Sequence, residues 1–567
     1  MPKKKIKSRT IEAAAVTSYK HKDKRAHIPT QEESVRLSHR DKQPVKKRYD
    51  YDPSLDPQLI WSGKREAGSE FAVSTVPIYV QEKISPEAII ARLKQGAIDE
   101  AQYTLFGETT QQQFDKAVEF YKHEDNWQNR MILGDSLLVM NSLLEKEGMR
   151  GKVQCVYIDP PYGIKFGSNW QTSTRKRDVK DNKIEDMIRQ PEQIKAFRDT
   201  WELGIHSYLS YLRDRLIVAR ELLTESGSCF VQIGDENVHL VRGVLDEVFG
   251  TQNFICQIGY LTTSGRGAQI IDKIYDTILW YARDKEQVKS KKLYIERGEN
   301  LLGQGQYDFV LNKNHELISR NDIKDNDMPV SEPCAHSDTT SQGETDTGRF
   351  PIIYGKEKYS PPSGRHWRTT ENGMKRLIAL KRIIPLGSRL RFLQFESDYP
   401  VVALPNLWLD TVLSGFSTER IYVVQTLSEV VKRCVLMTTD PGDLVLDPTC
   451  GSGTTAYVAE SWGRRWITTD TSRVALALAR TRIMTAKYPY YFLKEESNVR
   501  AGFEYKTVPH VTLKSLANNE EPQDEVLYDQ PFEDKDRVRV TGPFTVESLS
   551  PHRVSDAQEM VSSERFV

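Results

Sequence analysis

The apolar positions of this chain follow two patterns that alternate along the sequence. Short runs of β-branched and other apolar residues, such as 153–158 and 228–234, are typical of strands that are buried on both faces. Stretches such as 206–227 place apolar residues three or four positions apart, which predicts amphipathic helices. The two patterns alternate over 130–284 and again after residue 421. This order predicts an α/β protein with a parallel sheet.

Between these two regions the sequence is polar, irregular and rich in arginine, lysine and aromatic residues, which indicates a separate inserted module. The patterns divide the chain into a basic, largely disordered arm (1–70), a helical segment (71–128), a first α/β half (129–284), an insert (285–420), a second α/β half (421–493) and an acidic, weakly patterned tail (494–567).

Composition narrows the class of protein. With 567 residues the chain is too long for one core, and 38% apolar and 28% charged residues are typical of a globular protein. No apolar run approaches the roughly 18 residues of a membrane span, and no apolar segment follows the basic start, so we expect a cytoplasmic protein without a membrane segment. The six cysteines are scattered, which predicts reduced thiols and no metal site.

The zero net charge conceals an asymmetry between the two ends. Residues 1–50 carry about 15 lysines and arginines against 6 acids, whereas residues 494–567 carry about 9 against 15. A basic arm can contact the phosphates of nucleic acid, although a solvated tail is an equally ordinary interpretation.

One turn motif follows the apolar run 153–158. The run ends at Asp159 and continues with Pro160, Pro161 and Tyr162. Because proline cannot continue a central strand and fixes its own φ angle, the motif predicts a rigid turn just past the carboxyl end of a buried strand. Open α/β sheets bind their ligands at this edge.

A second motif lies in the other α/β half. A short strand ends at Asp447, Gly451 and Gly453 bracket a turn, Thr454 opens a helix, and the next strand ends at Asp470. This order is typical of a site for an adenosine-type ligand, since glycines let the backbone approach it and the second acid accepts hydrogen bonds from ribose hydroxyls. An acid beside the turn disfavours a pyrophosphate and favours a cationic cofactor such as S-adenosylmethionine.

Taken together, Asp-Pro-Pro-Tyr at 159–162 and the segment "DPTCGSGTT" closely resemble the amino-methylating DNA methyltransferases. The order of the motifs is similar to a permuted (beta) group of that family, in which the catalytic half precedes the recognition insert and the cofactor half. Flanking segments such as "LGDSL" resemble modification subunits of type III restriction systems. The resemblance implies a Rossmann-like α/β fold with a mixed sheet and an inserted target-recognition domain.

The resemblance also implies the reaction, which is transfer of a methyl group from S-adenosylmethionine to the N6 amine of a flipped-out adenine in a specific DNA sequence. Asp159 and the carbonyl of Pro160 would accept the two N–H groups of the amine, and Tyr162 would stack on the base. The site residues implied are Asp159, Pro160, Pro161 and Tyr162 for catalysis, and Asp135, Asp447, Pro448, Gly451, Gly453, Thr454 and Asp470 for the cofactor.

Several alternatives stay open at this point. Asp135 and Asp470 each precede a predicted helix, so helix capping explains them as well. Members of the group often carry Lys-Pro before the cofactor strand, whereas this chain has Thr426-Leu427 there, and neutral hydrogen bonds from Gln425, Thr426 or Ser428 are the candidate replacements.

The function has alternatives as well. They are methylation of cytosine N4, a catalytically silent DNA-recognition subunit, and methylation of RNA or of a protein glutamine. The expected partners are double-stranded DNA, a restriction or translocase subunit on another chain, and a second copy of this chain. The insert is expected to read the DNA sequence through basic and aromatic residues, which are Arg365, His366, Trp367, Arg368, Lys375, Arg376, Lys381, Arg382, Arg389 and Arg391.

Overall fold

The computed structural model describes most of the chain from residue 59 onward, and every described residue lies in the compact unit that begins at Gln58. The described residues are 59–62, 64, 73, 75–91, 117–161, 204–263, 270–297, 307–312, 314–323, 331–343, 345–411 and 427–549.

The strands of the described residues are numbered in chain order. They are β1 (Ile78–Ile84), β2 (Ala117–Glu119), β3 (Asn129–Leu133), β4 (Val153–Ile158), β5 (Leu223–Ile233), β6 (Phe254–Leu261), β7 (Tyr275–Ala282), β8 (Tyr294–Glu296), β9 (Phe309–Leu311), β10 (Leu317–Ser319), β11 (Cys334–Asp338), β12 (Thr340–Gln342), β13 (Ile352–Tyr354), β14 (Glu357–Tyr359), β15 (Arg365–Trp367), β16 (Ile383–Leu386), β17 (Arg389–Phe395), β18 (Val401–Ala403), β19 (Leu407–Trp408), β20 (Leu444–Asp447), β21 (Arg465–Asp470), β22 (Tyr488–Tyr491), β23 (Tyr505–His510), β24 (Gln523–Pro531), β25 (Glu533–Arg539) and β26 (Phe544–Leu549).

The α-helices are numbered in the same way. They are α1 (Ser136–Glu145), α2 (Ile205–Leu222), α3 (Val238–Phe249), α4 (Glu371–Ala379), α5 (Ser428–Thr438), α6 (Thr454–Ser461), α7 (Arg473–Thr485) and α8 (Leu513–Asn518). Within the described ranges, none of the helices is both long enough and apolar enough to cross a bilayer.

A ten-stranded mixed sheet forms the centre of the molecule, in the order β1-β26-β3-β21-β20-β4-β5-β7-β6-β19. The strands from β26 to β5 are parallel, while β1 and β7 run antiparallel to their neighbours. All six residues of β4 are buried because apolar side chains cover both faces of the sheet. Cys155 and Tyr157 pack into one apolar cluster, and Val156 and Ile158 pack into the other. The predicted Rossmann-like α/β fold is therefore confirmed.

The insert has a different architecture. It contains a five-stranded sheet in the order β10-β9-β11-β17-β16, and the pairings of this sheet are antiparallel. Helix α4 packs against α8, which belongs to the C-terminal region, and the two helices share an apolar cluster around Met374 and Leu513. Two residues of β19 return the chain to the edge of the central sheet.

Two predictions about the flanking regions need correction. The segment 71–128 was expected to be helical, but its described part contains β1 and β2, and only residues 86–91 are α-helical. The region 494–567 was expected to be a weakly patterned tail, but its described part forms β23 to β26 and α8. The strand β26 lies between β1 and β3 in the central sheet, where long-range pairing and burial of Phe544 outweigh its weak local pattern.

Candidate active site

The two motifs follow neighbouring strands of the central sheet. Strands β20 and β4 are parallel, with Val445 opposite Cys155 and Leu446 opposite Val156, so Asp447 and Asp159 lie at the same carboxyl edge. From β20 the chain continues to β21 on one side, while β5, which follows β4, lies on the other side. This reversal of direction opens a crevice in which α/β proteins bind ligands.

A direct hydrogen bond connects the two motifs. The backbone N–H of Asp159 donates to Oγ1 of Thr449 at 2.9 Å. The backbone N–H and the hydroxyl of Thr449 both contact Oδ1 of Asp447, at 2.8 and 3.1 Å. The acid-proline turn and the glycine turn therefore lie side by side at the carboxyl edge of the sheet. Nothing in the local sequence pattern around Thr449 signalled this connecting role.

The proline turn is described up to its third residue. Asp159 and Pro161 are partly exposed, and Pro160 is buried beneath the edge of the sheet. Tyr162 lies outside the described residues, so its predicted stacking on a base stays a prediction.

The glycine turn requires glycine for two reasons. Gly451 and Gly453 have φ angles of 51° and 74°, which is the left-handed region that favours glycine. A Cβ atom on Gly453 would also lie 2.7 Å from the Cβ atom of Ala479 in α7. The turn therefore brings its backbone close to a neighbouring helix, and Thr454 begins α6 as predicted.

Asp470 ends β21 directly beside this turn. Its Oδ2 accepts a hydrogen bond of 2.9 Å from the N–H of Gly451, and its Oδ1 accepts one of 2.8 Å from the N–H of Ser472. Desolvation raises the pKa of Asp470 to about 6, and burial raises the pKa of Asp447 to about 6 as well. Two carboxyl groups with pKa values raised to about 6 therefore lie beside the glycine turn.

Asp135 lies at the same edge, at the end of β3, where the N–H of Gly134 donates to the carbonyl of Asp470 at 3.0 Å. Its Oδ1 accepts from the N–H groups of Leu137 and Leu138, so Asp135 caps α1. Capping was the alternative interpretation of this residue, and its contact with a cofactor stays a prediction.

A basic residue outside both sequence motifs holds Asp135 in place. Arg215 of α2 donates from Nη2 to Oδ2 of Asp135 at 2.5 Å and from Nε to Oγ of Ser136 at 2.8 Å. Its guanidinium lies 3.4 Å from the ring centroid of Tyr211. The sequence feature that could have identified Arg215 is its position among the apolar residues of an amphipathic helix.

The basic residues of the insert make many internal contacts. Arg382 forms a bidentate pair with Asp398, and Arg365 and Arg391 both pair with Asp338. Trp367 is buried in the core of the insert. These contacts stabilise the insert, and base reading by its side chains stays a prediction.

Over the part of the chain that the structure describes, no group of three or more His, Cys, Asp or Glu residues is arranged to hold a metal ion.

Comparison with known proteins bears on the whole α/β region. The N6_N4_Mtase family model, described as DNA methylase, matches residues 153–481. The chain is 25% identical over 373 residues to the type II methyltransferase M.EcaI of Enterobacter cloacae, covering 64% of this chain and 70% of that protein.

It is also 23% identical over 433 residues to the StyLTI Mod subunit, a type III restriction-modification enzyme of Salmonella typhimurium, covering 70% of this chain and 58% of that protein. Among solved structures, the cytosine-N4-specific PvuII DNA methyltransferase matches with a TM-score of 0.31 and 14% identity, over 71% of this chain and 92% of that one.

Proposed function

The chain belongs to the DNA methylase family, and from this membership we propose that it transfers a methyl group from S-adenosylmethionine to the N6 amine of adenine in double-stranded DNA. The observation that carries the proposal is the hydrogen bond between Asp159 and Thr449, because it brings a carboxylate–proline turn and a glycine turn to one cleft.

The residues around the glycine turn fit the proposed cofactor. Gly451 and Gly453 allow the backbone to approach a ligand, as in other adenosine-binding turns. Asp470 offers acceptors for ribose hydroxyls, and the carboxylates of Asp447 and Asp470 favour a ligand that carries positive charge. The sulfonium of S-adenosylmethionine supplies an activated methyl group, and it carries such a charge.

The proline turn would act on the target amine. The lone pair of this amine is delocalised into the base, which makes the nitrogen a poor nucleophile. The Asp159 carboxylate would accept one N–H of the amine, and the Pro160 carbonyl would accept the other, so that the lone pair points toward the methyl group. Because the rings of Pro160 and Pro161 fix their φ angles, the carbonyl between them would keep a fixed direction. The target base has to leave the DNA helix to reach this pocket.

The preference for adenine rests on the aspartate at position 159. Family members with serine at this position more often modify cytosine, and the same two acceptors serve both amines. Cytosine N4 is therefore the alternative target.

The similarity to the StyLTI Mod subunit supports the further proposal that the chain works with a restriction subunit.

The test is transfer of labelled methyl groups from S-adenosylmethionine to unmethylated duplex DNA, followed by separation of the nucleosides. We expect label in N6-methyladenine and none with the Asp159→Ala variant. Label in N4-methylcytosine would replace the proposed base. A purified protein that binds the cofactor but labels no DNA would favour a catalytically silent recognition subunit instead.

A further inference from the structure

A single arginine links three parts of the proposed cofactor site. Arg482 of α7 donates from Nη1 to Oγ1 of Thr454 at 3.0 Å, and it contacts the carbonyl and the hydroxyl of Ser452 at 3.4 Å each. Its Nη2 contacts Oγ of Ser428 at 3.4 Å. The guanidinium also lies 4.6 Å from the ring centroid of Tyr457, which restricts its position further.

The three hydroxyl groups belong to two separate segments of the chain. Ser452 is inside the glycine turn, Thr454 is the first residue of α6, and Ser428 is the first residue of α5. Ser452 and Thr454 are buried, and their hydroxyls lie 3.1 Å apart. Arg482 therefore fixes the glycine turn relative to the beginning of α5.

Positive charge collects in this region, where the acidic residue in the first turn of α5, Glu429, is paired with Lys432 and Arg433. The amino ends of α5 and α6 carry the positive ends of their helix dipoles, and the guanidinium of Arg482 adds a full positive charge between them. The carboxyl groups of Asp447 and Asp470 contact earlier residues of the same turn, Thr449 and Gly451. The turn thus has carboxyl groups near Thr449 and Gly451 and a guanidinium near Ser452 and Thr454.

S-adenosylmethionine has a matching distribution of charge, because its ribose and sulfonium favour carboxylates, whereas its own carboxylate is repelled by them. We propose that Arg482 is a positioning residue that orients the carboxylate end of the cofactor. It holds the three hydroxyls in place and supplies positive potential there. The inference rests on the function proposed above.

This role would compensate for a departure from the family pattern. The Lys-Pro that members of the group often carry before the cofactor strand is replaced here by Thr426-Leu427. The residue after this pair, Ser428, contacts Arg482. The positive charge would then come from α7 instead of from the segment that precedes α5.

The test compares two ligands that differ only in the carboxylate, S-adenosylmethionine and decarboxylated S-adenosylmethionine, by isothermal titration calorimetry on the full chain. We expect the unchanged protein to bind S-adenosylmethionine about tenfold more tightly than decarboxylated S-adenosylmethionine. One partly screened ionic contact of about 1.4 kcal/mol corresponds to this factor. Arg482→Gln should reduce this preference to about twofold or less by weakening the binding of S-adenosylmethionine. Arg482→Lys, which keeps the charge, should retain most of the preference.

The control is Arg480→Gln on the same helix. Arg480 pairs with Glu82 at 2.6 Å on the surface, so its replacement should leave the preference unchanged. An Arg482→Gln variant that weakens both ligands equally would show that Arg482 only stabilises the turn, and it would overturn the inference. An unchanged protein that binds both ligands equally well would overturn it too. An unchanged protein that binds neither ligand would overturn the proposed function itself.

Discussion

The backbone N–H of Asp159 donates a hydrogen bond of 2.9 Å to the hydroxyl of Thr449, which is 290 positions away in the sequence. The same hydroxyl contacts Oδ1 of Asp447 at 3.1 Å. Because strands β4 and β20 are direct neighbours, the side chain of Thr449 sets the distance between the proposed catalytic carboxylate and the proposed cofactor turn.

Replacing Thr449 with valine should slow methyl transfer. The variant keeps the shape of the side chain but leaves the N–H of Asp159 without this acceptor, at a cost of about 1–3 kcal/mol. If the Asp159 turn shifts in response, the rate of a single turnover should fall about tenfold. Rapid-quench measurement with saturating DNA and cofactor would detect this change.

The matched control for this position is Thr449→Ser, which retains the hydroxyl and loses only a methyl group. It should keep most of the rate. If serine and valine slow the reaction equally, packing of the methyl group rather than the hydrogen bond positions the turn.

The Asp159→Asn variant should separate chemistry from cofactor binding. Asparagine has almost the same shape, but it lacks the negative charge that favours the developing positive charge on the amine. Single-turnover methyl transfer should fall by about 10² to 10³, whereas the dissociation constant of S-adenosylmethionine should change less than about threefold. Loss of cofactor binding to the same extent as activity would place Asp159 in the cofactor site instead.

Cofactor binding should depend on pH near neutrality. The pKa values of Asp447 and Asp470 are raised to about 6 by desolvation, so both groups lose their charge below that pH. Affinity for the cationic cofactor should therefore rise between about pH 5 and about pH 7. Calorimetric titrations across this range would measure the rise, and Asp470→Asn should flatten it. A constant affinity across the range would contradict the proposed role of these acids.

The same two groups should affect folding stability with the opposite sign. Their pKa values in the folded protein lie above the ordinary value of 3.8, so protonation favours the folded state. Their contribution to stability is present below about pH 4 and is lost as the pH rises through about 6.

The α/β halves and both turns were predictable because their signals are local. Strand β4 is a mostly apolar run that is followed by an aspartate and two prolines, and the turn around Gly451 contains two glycines with positive φ angles. The C-terminal strands were not predictable in this way. Strand β25 consists mainly of charged residues, and β26 is buried only through its pairing with β1 and β3.

The site shows the same division between local and long-range signals. Asp159 directly follows a strand, and Asp447 and Asp470 are the last residues of theirs, so their positions could be predicted from the pattern of the chain. Thr449 and Arg482 could not be assigned, because their contacts depend on which strands and helices become neighbours in the fold. Tertiary structure alone brings these side chains to the cleft.

Strand β26 should contribute strongly to stability through one ion pair. Glu547 is 3% exposed and accepts hydrogen bonds from Nε and Nη2 of Arg130 in the neighbouring strand, at 3.0 and 2.6 Å. Glu547→Ala should lower the free energy of unfolding by about 3 kcal/mol, since it leaves a largely buried guanidinium with one partner fewer. Urea unfolding would measure the change. Glu145→Ala, which removes a surface pair with Arg150, should cost less than about 1 kcal/mol. Equal effects of the two substitutions would mean that the pair with Arg130 does not secure β26 in the sheet.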